Sequence, residues 1–203
     1  MKKLIWLLSL SLLTTVGSFA EENKTQSAES NSTVINNKNV MSITDVTGKV
    51  MKVEALKNGL YFQDFKDKVI FLEFFGHRCP PCKKSIPHYI DLQNKFKDKL
   101  AIIAIEVQGL SRKQLSSFAK KKGINYITVA QEDSQILLEH ISVRANWSGA
   151  IPYLVILDQK GDVQTMQAGL IPQKPLEDIV NGLTTTTVVE DNNETNDTNK
   201  SKK

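Results

Sequence analysis

Apolar residues along this chain recur in two alternating rhythms. Val69-Ile70-Phe71-Leu72-Glu73-Phe74-Phe75 is a continuous β-prone run broken only by Glu73, the pattern of a strand buried on both faces. Gly76 opens a turn, and the spacing of Ile86, Ile90, Leu92 and Phe96 predicts a helix from Cys79 to Phe96. Leu100 to Val107 predicts a second buried strand, and Ser111 to Lys122 a basic amphipathic helix that Gly123 ends. A third strand is expected over Tyr126–Ala130, followed by a short helix capped by Asp133 and running through His140. Tyr153–Leu157 and Asp162–Ala168 flank Gln159-Lys160-Gly161, which predicts an antiparallel hairpin, and Pro172–Leu183 predicts a last helix. Upstream, Met41–Val53 around Gly48 predicts a small N-terminal β-hairpin. This order implies α/β architecture, with a crossover unit and a central mixed β-sheet flanked by helices.

The ends read differently. Lys2 and Lys3 precede an almost wholly apolar stretch from Leu4 to Thr15, and Ser18-Phe19-Ala20 supplies small residues for cleavage. Residues 1–20 therefore predict an export signal peptide. The competing reading is an uncleaved membrane anchor, for which the apolar run is short against the roughly 20 residues a span requires. Residues 21–39 and 184–203 are rich in Asn, Ser, Thr, Lys and Glu, and predict a flexible linker and a disordered tail. One domain is left between them, over 40–183.

Composition removes several function classes. Among 203 residues the formal net charge is +4, too small and too dispersed for a nucleic-acid binder. Two cysteines cannot hold a four-cysteine zinc site or a thiolate-held iron–sulfur cluster. They can form one disulfide, and an exported chain meets the oxidising compartment in which such a pair is structural or catalytic.

Both cysteines fall in Cys79-Pro80-Pro81-Cys82, where the buried strand gives way to a helix. Free backbone N–H groups and the positive end of the helix dipole stabilise a thiolate there, so Cys79 is expected to be the nucleophile. Cys82, one helical turn on, is expected to be the buried resolving thiol. His77, Arg78, Lys83 and Lys84 flank the pair and would lower the thiol pKa further. Haem attachment would need His where Lys83 stands, zinc would need two more ligands, and a purely structural bridge over so short a loop gains little. Redox exchange is the reading the context favours. A lone carboxylate in an apolar strand, Glu73 is expected to be half-buried with a raised pKa suited to general-base work. His88 and His140 read as helix-surface residues.

The strand, Cys-Pro-Pro-Cys-Lys-Lys, the helix and the later Gly149-Ala150-Ile151-Pro152 before a hairpin resemble the thioredoxin superfamily. With the export signal and N-terminal extension, the chain is most similar to the TlpA/ResA-like extracytoplasmic thiol–disulfide oxidoreductases, over about 40–183. The resemblance implies a cis peptide before Pro152, with Ile151 offering its backbone to a substrate strand. It implies that Pro87 kinks the first helix, and that Glu73 takes a proton from the resolving cysteine. No metal or organic cofactor is implied. The implied partners are a disulfide-containing exported protein and, for a reductase, a membrane thiol electron donor; the implied location is periplasmic. Three features depart from the pattern: Ser85 where many relatives place an acid, Arg78 where an aromatic is usual, and a longer stretch from Val143 to Ala150 with Trp147. A thiol oxidase or isomerase is the alternative direction, and a non-catalytic binding module the alternative class. A peroxidase of the same fold would carry Thr where Gly76 stands.

Overall fold

The structure is a computed structural model that describes residues 39–185. The expected leader, the linker up to residue 38 and the tail from residue 186 lie outside the described residues. At the centre is β4 (Val69–Phe75), whose seven residues are all buried. β5 (Leu100–Glu106) pairs parallel to it on one side, and β7 (Tyr153–Leu157) pairs antiparallel on the other. β6 (Ile127–Ala130) and β8 (Val163–Ala168) complete a five-stranded sheet in the order β6-β5-β4-β7-β8. The parallel pairs are joined by α1 (Pro80–Lys95) and α2 (Arg112–Lys122); α3 (Gln135–Arg144) and α4 (Gln173–Thr184) follow. This is the mixed α/β arrangement the hydrophobic rhythm predicts.

Strand periodicity divides the core in two. Val69, Phe71 and Phe75 pack with Cys82, Tyr89 and Leu92 of α1 and with Leu176 and Val180 of α4. Ile70, Leu72 and Phe74 point the other way, against Leu137, Leu138 and Ile141 of α3 and the N-terminal strands. Those strands form a second sheet, β1 (Val40–Thr44), β2 (Val50–Ala55) and β3 (Leu60–Phe62), all antiparallel. The expected hairpin therefore has a third strand. Leu60-Tyr61-Phe62 is too short to show a period, but buries Leu60 and Phe62 in this second core.

Local signals set the ends of the crossover helix. Ser111 caps α2 by accepting from the N–H of Gln114, whose side chain returns a bond to the Ser111 N–H; this is the reciprocal capping box. Gly123 closes it at φ 67, a left-handed value that glycine adopts without a Cβ clash. Asp133, expected to cap the next helix, instead lies in a 3-10 turn (Gln131–Asp133), and Ser134 takes the N-cap position. The carboxylate of Asp133 is engaged by Arg112, which donates from Nε at 2.8 Å, and a side chain held there cannot fold back onto its own helix. The last helix extends one residue past the expected limit, to Thr184.

Candidate active site

β4 and β5 end side by side, and the turn leaving β4 delivers the cysteine pair onto the N-terminus of α1. Cys79 is the N-cap residue in extended geometry, and Pro80 and Pro81 occupy the first two helical positions. Prolines fit there because those N–H groups have no partner inside the helix. The Sγ of Cys79 accepts from the N–H of Cys82 at 3.3 Å, which is the contact that stabilises a thiolate at a helix start. Cys79 keeps 7% of its surface and Cys82 none. The two are joined as a disulfide with Cα atoms 5.2 Å apart.

From across the sheet, the loop before β7 completes the site. The Ile151–Pro152 peptide is cis, and the carbonyl oxygen of Ile151 lies 3.9 Å from Cys79 Sγ. Trp147 shapes the approach to this loop by donating from Nε1 to the Ala150 carbonyl at 2.8 Å and stacking on Phe74 with ring centroids 4.8 Å apart.

Beneath the pair lies Glu73, more deeply placed than a half-buried residue at 1% exposure. Burial pushes its carboxyl up to about 8, against a smaller downward pull from the Ser85 hydroxyl. Tyr89 and Tyr126 pack edge to face, with ring centroids 6.1 Å apart. Burial, and after it the Glu73 charge, raise both phenols. Ser85 Oγ stands 3.0 Å from Glu73 Oε1 and 2.8 Å from the Cys82 carbonyl oxygen. A hydroxyl has one proton to give. With Glu73 protonated, the acid donates to Ser85 and Ser85 donates to Cys82; with Glu73 ionised, Ser85 turns to the carboxylate. The proton state of Glu73 is thereby linked to the backbone of Cys82. Ser85, a departure from the family pattern in sequence, is in space the partner of the acid.

Two residues that sequence reasoning passed over also belong here. Glu106, at the end of β5, is 0% exposed and accepts from His77 Nδ1 at 2.8 Å. Gln108 accepts from the Arg78 N–H at 2.9 Å, and its side chain lies where a Cβ on Gly76 would stand, within 2.3 Å. The available signal was a lone acid in an otherwise apolar strand, the same signal that marked Glu73. His88 and His140 are half-buried rather than on the surface; desolvation, and next the Arg144 charge, lower the pKa of His140.

With this geometry in place, the sequence over residues 43–166 matches the AhpC/TSA family. The chain belongs to the AhpC/TSA family. Among curated members, it is 30% identical over 118 residues to the thioredoxin-like protein YneN of Bacillus subtilis, covering 57% of this chain and 65% of that one. Identity to the thiol-disulfide oxidoreductase ResA of the same organism is 29% over 119 residues, covering 58% and 63%. The chain thus spans slightly under two thirds of these relatives' length. Solved structures with the fold include StoA from Bacillus subtilis, with a TM-score of 0.51 at 18% identity over 68% of this chain and 94% of that one. A thioredoxin family thiol:disulfide interchange protein from Chlorobium tepidum gives 0.55 at 21% identity over 72% and 94%. This member of the AhpC/TSA family has a thioredoxin-like fold, and its Cys-Pro-Pro-Cys pair lies at the first helix.

Proposed function

We propose that the chain is an exported thiol–disulfide oxidoreductase that reduces disulfides in other exported proteins. The observation that carries this reading is the Cys79–Cys82 pair at the start of α1, with the Ile151 carbonyl 3.9 Å from Cys79 Sγ. A substrate strand laid along Ile151–Pro152 brings its disulfide to Cys79. The Cys79 thiolate attacks one substrate sulfur, the substrate S–S bond breaks, and the departing thiolate takes a proton from water. Cys82 then gives its proton to ionised Glu73 and attacks Cys79 Sγ. The second substrate thiolate leaves, and the pair is oxidised as two electrons pass to the substrate. A membrane thiol carrier returns them. No helix among the described residues is long and apolar enough to cross a membrane. Export rests on the leader read from residues 1–20 and on the resemblance to extracytoplasmic oxidoreductases noted in the sequence.

The deciding experiment equilibrates the pair against defined thiol/disulfide buffers and follows reduction of a model disulfide protein. A reduction potential near about −270 mV, with turnover, supports the reductase. A value near about −120 mV makes it an oxidant of newly exported proteins and overturns the direction. The peroxidase alternative is disfavoured at Gly76, where a threonine's Cβ would drive Gln108 off the Arg78 N–H.

A further inference from the structure

The cysteine turn is gripped from β5 and the loop after it. Glu106 Oε1 accepts from the His77 N–H at 3.3 Å, His77 Nδ1 at 2.8 Å and the Gln108 N–H at 3.1 Å. Its Oε2 accepts from the Leu110 N–H at 2.9 Å. The next two N–H groups of the turn are also held, Arg78 by Gln108 Oε1 at 2.9 Å and Cys79 by the Gly76 carbonyl at 3.1 Å. Every backbone donor from His77 to Cys79 is thus spoken for, two of them by side chains of one neighbouring segment. An apolar side chain at 106 would suit this buried strand end at far lower desolvation cost. The carboxylate instead takes four N–H donors, all from the turn and the loop beside it.

We propose that Glu106 is a positioning residue of the redox centre, acting through His77 and the turn Gly76–Cys79 to set the placement and thiolate reactivity of Cys79. The inference rests on the proposed exchange chemistry, but has its own electrostatic signature. A buried negative charge near the nucleophile disfavours its thiolate. The imidazole donates Nδ1–H to that charge and stands two residues before Cys79. It screens the carboxylate, while the carboxylate fixes which ring nitrogen carries the bonded proton and leaves Nε2 as the free one. Removing His77 and removing the charge of Glu106 should then push Cys79 in opposite directions. A role confined to rigidity would push both the same way.

The test uses the full chain, reduced, with iodoacetamide alkylation of Cys79 followed by mass spectrometry at pH 7, alongside the reduction potential. His77→Leu is expected to slow alkylation at least about threefold and to make the potential more negative. Glu106→Gln keeps the three acceptor contacts of Oε1 and loses the one from the Leu110 N–H, which then faces an NH2. It is expected to speed alkylation by a similar factor and to move the potential the other way. Arg78, Lys83 and Lys84 are unchanged in both, so the contrast isolates the pair. Shifts of the same sign, or changes below about twofold in both, overturn the proposal. Should Glu106→Gln fail to fold, His77→Leu decides alone, since position 77 is partly exposed; an unchanged rate and potential there overturn it. If the wild-type chain exchanges no disulfides, the proposed function falls while the alkylation contrast still judges Glu106.

Discussion

In the proposed exchange, three side chains divide the chemistry at the residue scale. Cys79 has the helix start, Cys82 the interior, and Glu73 the raised pKa between them. Replacing Cys82 with Ser should leave attack intact and abolish resolution, so a substrate mixed disulfide accumulates as a mass-shifted species lost on reduction. Cys79→Ser should give neither adduct nor turnover. Glu73 adds a pH prediction. Its native value of about 8 lies above the usual 4.5, so the folded protein holds this proton more tightly than the unfolded chain. The stabilisation is complete below about pH 4.5 and lost as pH rises through about 8, at up to about 1.4 kcal/mol per pH unit in between. Denaturant midpoints at pH 5 and pH 8.5 should differ in the wild type by more than in Glu73→Gln. The same variant should slow resolution of the mixed disulfide, because in the proposed exchange ionised Glu73 takes the Cys82 proton. Equal pH slopes in the two proteins would remove the raised pKa, and an unchanged resolution rate would remove Glu73 as the proton acceptor.

Legibility was highest at the scale of elements. Val69–Phe75 and Leu100–Glu106 announce themselves as apolar runs with one acid each, and Ser111 and Gly123 punctuate α2 with local chemistry that needs no tertiary partner. β3 and the Asp133 turn were not legible. Three residues carry no period, and the Arg112–Asp133 contact joins positions 21 apart. The site divides along the same line. Cys79, Cys82 and Glu73 are marked by neighbours in sequence, whereas the meeting of His77 with Glu106 and of Ser85 with Glu73 depends on strand register and helix placement. Ser111→Ala should cost about 1 kcal/mol, read from chemical denaturation, because one end of the capping box is lost. The reduction potential should not move. A shifted potential would show that α2 is coupled to the cysteine turn through more than the loop before it.

For the whole molecule, the N-terminal sheet is part of the domain's core. Ile43, Met51 and Val53 are each 0% exposed and pack with Ile70, Leu72 and Phe74 from the central strand. Ile43→Ala should therefore cost about 2–5 kcal/mol of global stability in one cooperative transition. A separate low-temperature transition would mean that the sheet folds independently. The two cores lie on opposite faces of the five-stranded sheet, to which β4, β5 and β7 each contribute residues on both sides, and the strand that ends in the cysteine turn is the middle of that partition.

The contact between Ser85 and Glu73 bears on how such sites are compared between chains. Many TlpA/ResA-like proteins place an acid three residues after the second cysteine, where this chain has Ser85; thioredoxins place one six residues before the first, as here with Glu73. Aligned column by column, this chain lacks the first acid and has the second. In three dimensions the side chains at the two positions touch, at 3.0 Å, so in this chain a carboxyl at either position would fall in one small volume beside the Cys82 backbone. An exchange of the two residues, Glu73→Ser with Ser85→Glu, would move the acid twelve positions along the chain and hardly at all in space.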